Sequence, residues 1–479
     1  MTTATQRLAE IGRRRAANEA VGVTSICSAH PMVIEAALRH GQRRSTDVLI
    51  EAPCNQVNQD GGYTGMTPAD FRIFVEMIAR DVGFDLSRLI LGGDHLGPNP
   101  WKHLPAKDAM TKASTMIEAF AAAGFTKLHL DTSMGCNGEP AALSDLTTAE
   151  RAARLAERAE ATVATCGGEA PVYVIGTEVP IPGGALESLD HVEVTAADAA
   201  MRTIDVHRRA FADRRQENAF GRVIAAVVQP GVEFSNAAVI VYRRERARAL
   251  SGVLAGASQL VFEAHSTDYQ PRQALRELVE DGFAILKVGP GLTFALREAL
   301  YGLSRIADVI APERGRQSLP DVMEHVMLSA PDNWRKYYPG GEAERAYLRH
   351  YSLSDRIRYY WPTDAARAGV EQLMLALGDR EIPLPLISQY LGRLRDGVVA
   401  GAISPIARDL ILASVGLVLD DYASAVDVRQ AASSRIAGGT EQASNGQFAA
   451  STARRLIADA PPSPICPSKQ PTTEHLRRQ

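Results

Sequence analysis

Eight times in succession, a short β-branched run is followed by a longer stretch carrying the 3.6-residue period of an amphipathic helix. The strand-like runs are "VGVTSIC", "DVLIEA", "RLILGG", "KLHLD", "VYVIGTEV", "RVIAAVV", "LVFEAHS" and "AILKVGPG". The helix-like partners begin with "PMVIEAALRHG" and end with "TFALREALYGL"; the sixth is "AAVIVYRRERARALSGVLAG". Consecutive units of this length, with strands apolar almost throughout because both faces are buried, are the pattern of a (β/α)8 TIM barrel. An open doubly wound sheet is the competing architecture. It calls for a Gly-x-Gly-x-x-Gly turn after the first strand, and "SICSAHPM" stands there instead.

The alternation occupies residues 1–310. Residues 311–431 read as helix-forming stretches without intervening strands, including the aromatic blocks "WRKYYPGG" and "YSLSDRIRYYWP", and are expected to form a helical extension packed on the barrel. Residues 432–479 are rich in Ser, Gly, Pro, Gln and Thr; such a segment cannot bury enough apolar surface to offset its ordering entropy, so a disordered tail is expected. A formal net charge of −4 gives no basis for holding nucleic acid or an anionic membrane, which leaves a small-molecule substrate. The five cysteines are odd in number and contain no Cys-x-x-Cys pair, which speaks against a disulfide framework or a zinc ribbon and for reduced thiols in the cytoplasm. No segment reads as a secretion signal or a membrane span.

In such a barrel the C-terminal ends of the strands and the loops behind them form the active site. The polar residues at these places are Ser28 and His30 (strand 1), Glu51 and Asn55 (strand 2), Asp94 and His95 (strand 3), Asp131 (strand 4), Glu178 (strand 5), Gln229 (strand 6), Glu263 and His265 (strand 7) and Lys287 with "GPG" (strand 8). One strand-end acid or histidine is ordinarily a loop cap or a satisfied core group. So many around one axis cost free energy unless they are paired or bind something.

A divalent metal, with zinc the first expectation, takes His or carboxylate ligands from different strands and leaves one position open for substrate. His95 and His265 are the expected imidazole ligands and Glu178 the third ligand; Asp131 or Glu263 can take its place, and His129 lies inside strand 4 beside Asp131. Asp94, Glu178 and Lys287 are the catalytic candidates. Asp94, displaced by one residue from a ligand, can reach a substrate hydroxyl as general acid/base, or can merely cap its loop. "KVGPGLTF" combines Lys287 with amides at Gly289 and Gly291 ahead of a helix, where barrels commonly bind phosphate, and Ser266 and Thr267 of "HSTD" add hydroxyls. Lys287 can alternatively form a Schiff base. The long loop "APCNQVNQDGGYTGM" offers Asn55, Gln56 and Asn58 to sugar hydroxyls, or is a surface Ω-type loop.

The segments "CSAHPMVIEAAL", "NQVNQDGGYTGMTPADF", "GGDHLGPN", "YVIGTEVPIPGG", "VVQPGVEF", "EAHSTDYQ", "LKVGPGLTFALREA" and "YSLSDRIRYYWP" resemble the GatZ/KbaZ family over about residues 15–430. The resemblance implies a fold similar to that of the catalytic class II aldolases. It also implies one of two activities in hexitol and ketose catabolism. One is a D-tagatose-6-phosphate 4-epimerase forming D-fructose 6-phosphate; the other is an accessory subunit of class II D-tagatose-1,6-bisphosphate aldolase. A regulator that binds sugar phosphate without turnover is a third reading. Class II aldolases use an Asp-His pair as acid/base and metal ligand, roles that fall here on Asp94 and His95, with His265 available as a later ligand. Where those enzymes take a further His, strand 6 offers Gln229. Arg356 or Arg358 is expected over the mouth as a second phosphate contact, or else in a helix at a subunit interface. Without a dinucleotide fingerprint, retro-aldol cleavage and re-addition is the favoured route to inversion at C4. The expected partners are a phosphorylated ketohexose and either a further copy of the chain or a catalytic aldolase subunit.

Overall fold

The computed structural model describes residues 2–176, 192–312 and 317–426. Glu178 and the segment 432–479 lie outside the described residues. The described residues form ten strands: β1 (Val23–Cys27), β2 (Val48–Pro53), β3 (Leu89–Leu96), β4 (Lys127–Leu130), β5 (Val172–Ile175), β6 (Val223–Val227), β7 (Glu233–Phe234), β8 (Val239–Ile240), β9 (Val261–Ala264) and β10 (Ile285–Val288). Eight of them close a parallel barrel in the order β1-β2-β3-β4-β5-β6-β9-β10, so that each strand pairs with the next barrel strand in the chain. β7 and β8 form a separate antiparallel hairpin, Glu233 opposite Ile240.

That hairpin corrects one expectation. "AAVIVYRRERARALSGVLAG" reads as a single helix, yet its β-branched start, Val239 and Ile240, is strand, and the helix begins only at Arg244 (Arg244–Gly252). A Val-Ile-Val-Tyr run fits a pleated surface better than the crowded side of a helix.

Along each barrel strand alternate residues face the axis. The layer nearest the N-terminal ends is apolar and buried: Leu49, Ile90, Val172, Val174, Ala225, Val261 and Ile285 pack together. Leu8, from the helix Ala4–Ala16 lying against β5, β6 and β9, joins this layer. The polar residues lie further along the strands, which sets the chemistry at the opposite end.

After the helix Pro290–Ile310 the described chain has no further strand; its helices include Leu319–Ser329, Glu342–Tyr351, Asp364–Leu377 and Ala407–Val426. The last one lies among Pro31–Arg44, Arg272–Glu280 and Pro290–Ile310. It is buried along Leu410, Ile411, Val415 and Leu419, as befits a helix covered on several sides. Ser414 Oγ donates to Ala295 O (3.0 Å), and the Gly22 amide donates to Val426 O (3.0 Å). No described helix is long and apolar enough to cross a membrane.

Candidate active site

β3 ends in Gly92-Gly93-Asp94-His95-Leu96. A Cβ on Gly92 would lie 2.8 Å from Glu51 Cγ, and one on Gly93 would lie 2.6 Å from Leu96 Cδ1 and 2.9 Å from Phe120 Cδ1. The glycine pair therefore makes room for Glu51 on one face and for Leu96 and Phe120 on the other. At His95 the backbone enters the left-handed region (φ 49°), and the β3–β4 register slips between Gly93 and Leu96. Successive strand residues normally point to opposite faces; this irregularity re-aims one of them, and Asp94 and His95 line the same cavity. A non-glycine residue in that conformation costs about 1–3 kcal/mol and persists only where its surroundings over-determine it.

His95, His129, His265 and Asp94 each offer a ligand atom, all within 4.8 Å of one another. The ring centroids are 4.9 Å (His95–His129), 4.9 Å (His95–His265) and 5.3 Å (His129–His265) apart. Each imidazole turns one nitrogen toward an acceptor: His95 Nδ1 to Asp131 Oδ2 (2.8 Å), His265 Nε2 to Glu263 Oε1 (2.9 Å) and His129 Nε2 to Gly176 O (3.0 Å). Carboxylates and carbonyls only accept, so these nitrogens carry a proton and leave the second nitrogen of each ring as the ligand atom; that of His129, Nδ1, lies 2.9 Å from Asp94 Oδ1 and accepts from His95 N (3.2 Å). Three imidazoles set in this way, beside the Asp94 carboxylate, fit a divalent cation, with Asp131 and Glu263 as the groups that orient its ligands. Burial pushes His265 down to about 4. Burial works against a charged His95 too, but Asp94 and Asp131 outweigh it and raise it above the ordinary histidine value.

The sequence placed His265 and His95 here and passed over His129, which lies within its strand and not at the end. The available signal was alternation: Lys127, His129 and Asp131 are two apart, so all three share one face. Asp131 and Glu263, considered as ligands, stand behind imidazoles instead.

Next to this group lie Glu51, Lys127, Glu263 and Lys287, from β2, β4, β9 and β10, every one buried. Lys127 Nζ is 2.6 Å from Glu51 Oε1 and 2.7 Å from Glu263 Oε2. Lys287 Nζ is 2.7 Å from Asp94 Oδ1 and pairs also with Glu51. Two cations facing two anions make burial tolerable. Burial disfavours the Lys287 ammonium, but Asp94, with help from Glu51 and Glu263, overcomes this and holds it well above the usual lysine range. Burial would also neutralise Asp94; His95 and Lys287 prevail and hold its carboxyl well below the usual range. A lysine kept cationic is not the free amine that a Schiff base requires. Its ammonium is committed to Asp94 and Glu51 and not to the glycine loop that follows it.

The other donors expected to receive phosphate are engaged as well. The amides of Gly289 and Gly291 both donate to Asp268 Oδ1 (3.0 and 2.7 Å), and Thr267 Oγ1 donates to Lys287 O (2.6 Å). A helix N-terminus draws the nearest anion, here a side chain from the neighbouring loop. Burial raises Asp268 to about 6, against the pull of the two amides and Arg358. Ser266 and Gly289 line the cavity.

Asn55 and Gln56 also line it, whereas Asn58 braces its own loop, donating to Cys54 O (2.9 Å) and accepting from Asp60 N (2.8 Å). Ser28 and His30 serve local turns: Ser28 Oγ accepts from His30 N (3.2 Å), and His30 Nδ1 accepts from Met32 N (3.3 Å) at the start of Pro31–Arg44. Gln229 Oε1 accepts from Gly231 N (2.7 Å) and Val232 N (2.9 Å), shaping the loop before β7.

The C-terminal helical region contributes the short turn Arg356–Tyr359. It is pinned to barrel loops and to the helix Pro290–Ile310: Ser352 Oγ donates to Asn236 Oδ1 (2.8 Å), Tyr269 OH to Leu353 O (2.6 Å) and Thr293 Oγ1 to Asp355 Oδ2 (2.6 Å). Asp355 stands at φ 45°, turning the chain so that Arg358 and Tyr359 line the cavity. Arg356 does not line it; its Nε donates to Asn333 O, and its guanidinium lies 3.3 Å from the Tyr337 ring centroid. Sequence reading weighed Arg356 and Arg358 together, and Tyr359 was missed.

Known proteins similar to the chain include the following two. One is a D-tagatose 6-phosphate 4-epimerase from Agrobacterium fabrum (strain C58 / ATCC 33970), 52% identical over 418 residues, which cover 87% of this chain and 98% of that protein. The other is the crystal structure of a "probable tagatose 6 phosphate kinase" from Sinorhizobium meliloti 1021, 57% identical with a TM-score of 0.79, covering 84% of this chain and 100% of that one. The family model described as D-tagatose-1,6-bisphosphate aldolase subunit GatZ/KbaZ-like matches residues 8–427, and the chain belongs to this family.

Proposed function

We propose that the chain is a cytoplasmic isomerase that interconverts D-tagatose 6-phosphate and D-fructose 6-phosphate by breaking and remaking the C3–C4 bond. The observation that carries this reading is the ionised Asp94 beside three imidazoles at the end of a closed barrel. The hydrogen on C4 of a 2-ketose is not α to the carbonyl, so simple proton abstraction cannot invert that carbon. Removing the C4 hydroxyl proton lets the C3–C4 electrons move into an enediolate spanning C2 and C3, leaving an aldehyde at C4. Re-addition to the other face of that aldehyde, with return of a proton, gives the epimer.

Asp94, held as a carboxylate by Lys287, is placed to accept the hydroxyl proton. His95, His129 and His265 would hold a divalent metal, zinc by the character of the donors, with Glu178 kept as a further candidate ligand or acid/base. When bound, the metal supplies Lewis-acid stabilisation of the developing oxyanion. Arg358 is the phosphate contact this reading favours over Arg356, because it lines the cavity and keeps Nε and one Nη2 proton beyond its bonds to Ser354 O, Asp355 O (3.0 Å) and Tyr359 OH (3.1 Å).

The test is incubation of the purified chain with D-tagatose 6-phosphate, D-fructose 6-phosphate being coupled to NADPH production. Turnover is expected with no nucleotide triphosphate and no second protein present. EDTA should abolish it and added Zn2+ restore it. Activity that appears only once a catalytic class II aldolase subunit is added would replace this reading with the accessory one, and dependence on ATP would favour a kinase. Arg358→Gln should raise KM for D-tagatose 6-phosphate roughly 10–100-fold, the size of one lost charge-assisted hydrogen bond set. An unchanged KM would place the phosphate elsewhere.

A further inference from the structure

Inverting C4 exchanges the positions of its hydrogen and its oxygen, because C3 and the phosphate-bearing C5–C6 arm are both held. The oxygen therefore loses its proton facing one wall of the cavity and must regain one facing another. Asp94 can meet only one of these positions. Lys287 and His129, at 2.7 and 2.9 Å from Asp94, belong to its own side.

Tyr359 comes to the same cavity from a different part of the chain. Asp94 is buried in the barrel, whereas Tyr359 is only half-buried, on the turn contributed by the C-terminal helical region. Arg358 Nη2 donates to its hydroxyl at 3.1 Å, which leaves the phenol's own proton free to point elsewhere. Its ring meets Tyr63 edge-on, 4.8 Å between centroids at 73°. The guanidiniums of Arg358 and Arg356 lie 4.5 and 5.0 Å from its ring centroid. Burial raises the phenol's pKa, but the two guanidiniums, with hydrogen bonds from Arg358 and Asn55, outweigh it and hold the group below the ordinary tyrosine value.

We propose that Tyr359 is the second acid/base residue of the epimerisation, facing the position that the C4 oxygen takes after the aldehyde has turned. This rests on the epimerase reading above. In one direction Asp94 accepts the C4 hydroxyl proton, the C3–C4 bond breaks into enediolate and aldehyde, and the aldehyde turns about C4–C5. The enediolate then attacks the opposite face, and the new C4 oxyanion takes the Tyr359 proton. Exchange with solvent returns Asp94 and the phenol to their starting states, and the reverse reaction uses the two residues in opposite order.

Tyr359→Phe keeps the ring against Tyr63 and removes only the exchangeable proton. Epimerisation is expected to fall about 100-fold or more. Cleavage of one epimer, the one whose C4 hydroxyl faces Asp94, should continue, so that glyceraldehyde 3-phosphate escapes and is captured by a dehydrogenase at a rate above wild type. Epimerisation within a few-fold of wild type would overturn the assignment. So would parallel loss of epimerisation and of cleavage of both epimers, the mark of a merely structural tyrosine. No epimerisation by the wild-type chain would sink the epimerase reading itself, and this assignment with it.

Discussion

Asp94→Asn should lower turnover about 10³-fold while leaving the protein folded, a loss within the range for removal of a positioned acid or base. The substitution is nearly isosteric, so the glycine-lined end of β3 is undisturbed. The remaining buried charges still balance: Lys127 and Lys287 face Glu51 and Glu263. What disappears is the carboxylate that lines the cavity beside the three imidazoles and that the proposed scheme uses to accept the C4 hydroxyl proton. The amide oxygen of asparagine can still accept a hydrogen bond from Lys287, so the measurement separates proton transfer from packing. Steady-state kinetics and urea unfolding on the same preparation would decide it. Activity within a few-fold of wild type, with the unfolding midpoint unchanged, would remove Asp94 from the chemistry.

Lys127→Met should cost about 3–5 kcal/mol of stability, the cost of removing one partner from a fully buried ion cluster. Lys127 is inaccessible to solvent, with its ammonium between Glu51 and Glu263. Without it, two carboxylates share Lys287 alone. The pH dependence is distinctive. Burial opposes the Glu263 carboxylate, but Lys127 and Lys287 hold it well below the usual range. Stability from this depression is present above the unfolded carboxylate value and is lost as pH falls through the lower folded value. The gap between wild type and variant should therefore be widest near neutrality and narrow below about pH 4. Adding Glu263→Gln to Lys127→Met should recover part of the loss by restoring charge balance. A single variant as stable as wild type would mean that the cluster contributes nothing to folding.

The barrel was legible because strands buried on both faces leave short apolar runs, and each helix answers with its own period. The Asp94–His95 pair was legible for a similarly local reason, the polar end of an apolar strand. What escaped depended on where a side chain goes after leaving its own segment. Lys287 follows a strand and precedes a glycine loop, which suggests phosphate, yet its ammonium turns inward because Glu51 and Asp94 await it. The amides of Gly289 and Gly291 look free in sequence, and the carboxylate that takes them, Asp268, belongs to the loop after β9. Arg356 and Arg358 are indistinguishable as letters. The turn at Asp355 separates them, sending one to Asn333 and Tyr337 and the other into the cavity. His129 needed only the counting of every second residue along β4.

The turn Arg356–Tyr359, anchored through Ser352, Leu353 and Asp355, divides responsibility within the protein. Asp94 and the three imidazoles belong to the barrel strands and their ends, where neighbouring strands fix every position. Arg358 and Tyr359 belong to a separately encoded patch, which meets the barrel through its loops and through Thr293 and Arg297 of the helix Pro290–Ile310. In the proposed scheme such an arrangement lets preference drift without disturbing reactivity: a descendant altered at Arg358, with Tyr359 and the strand ends kept, would still cleave and rejoin ketoses while trading a phosphorylated substrate for an uncharged one.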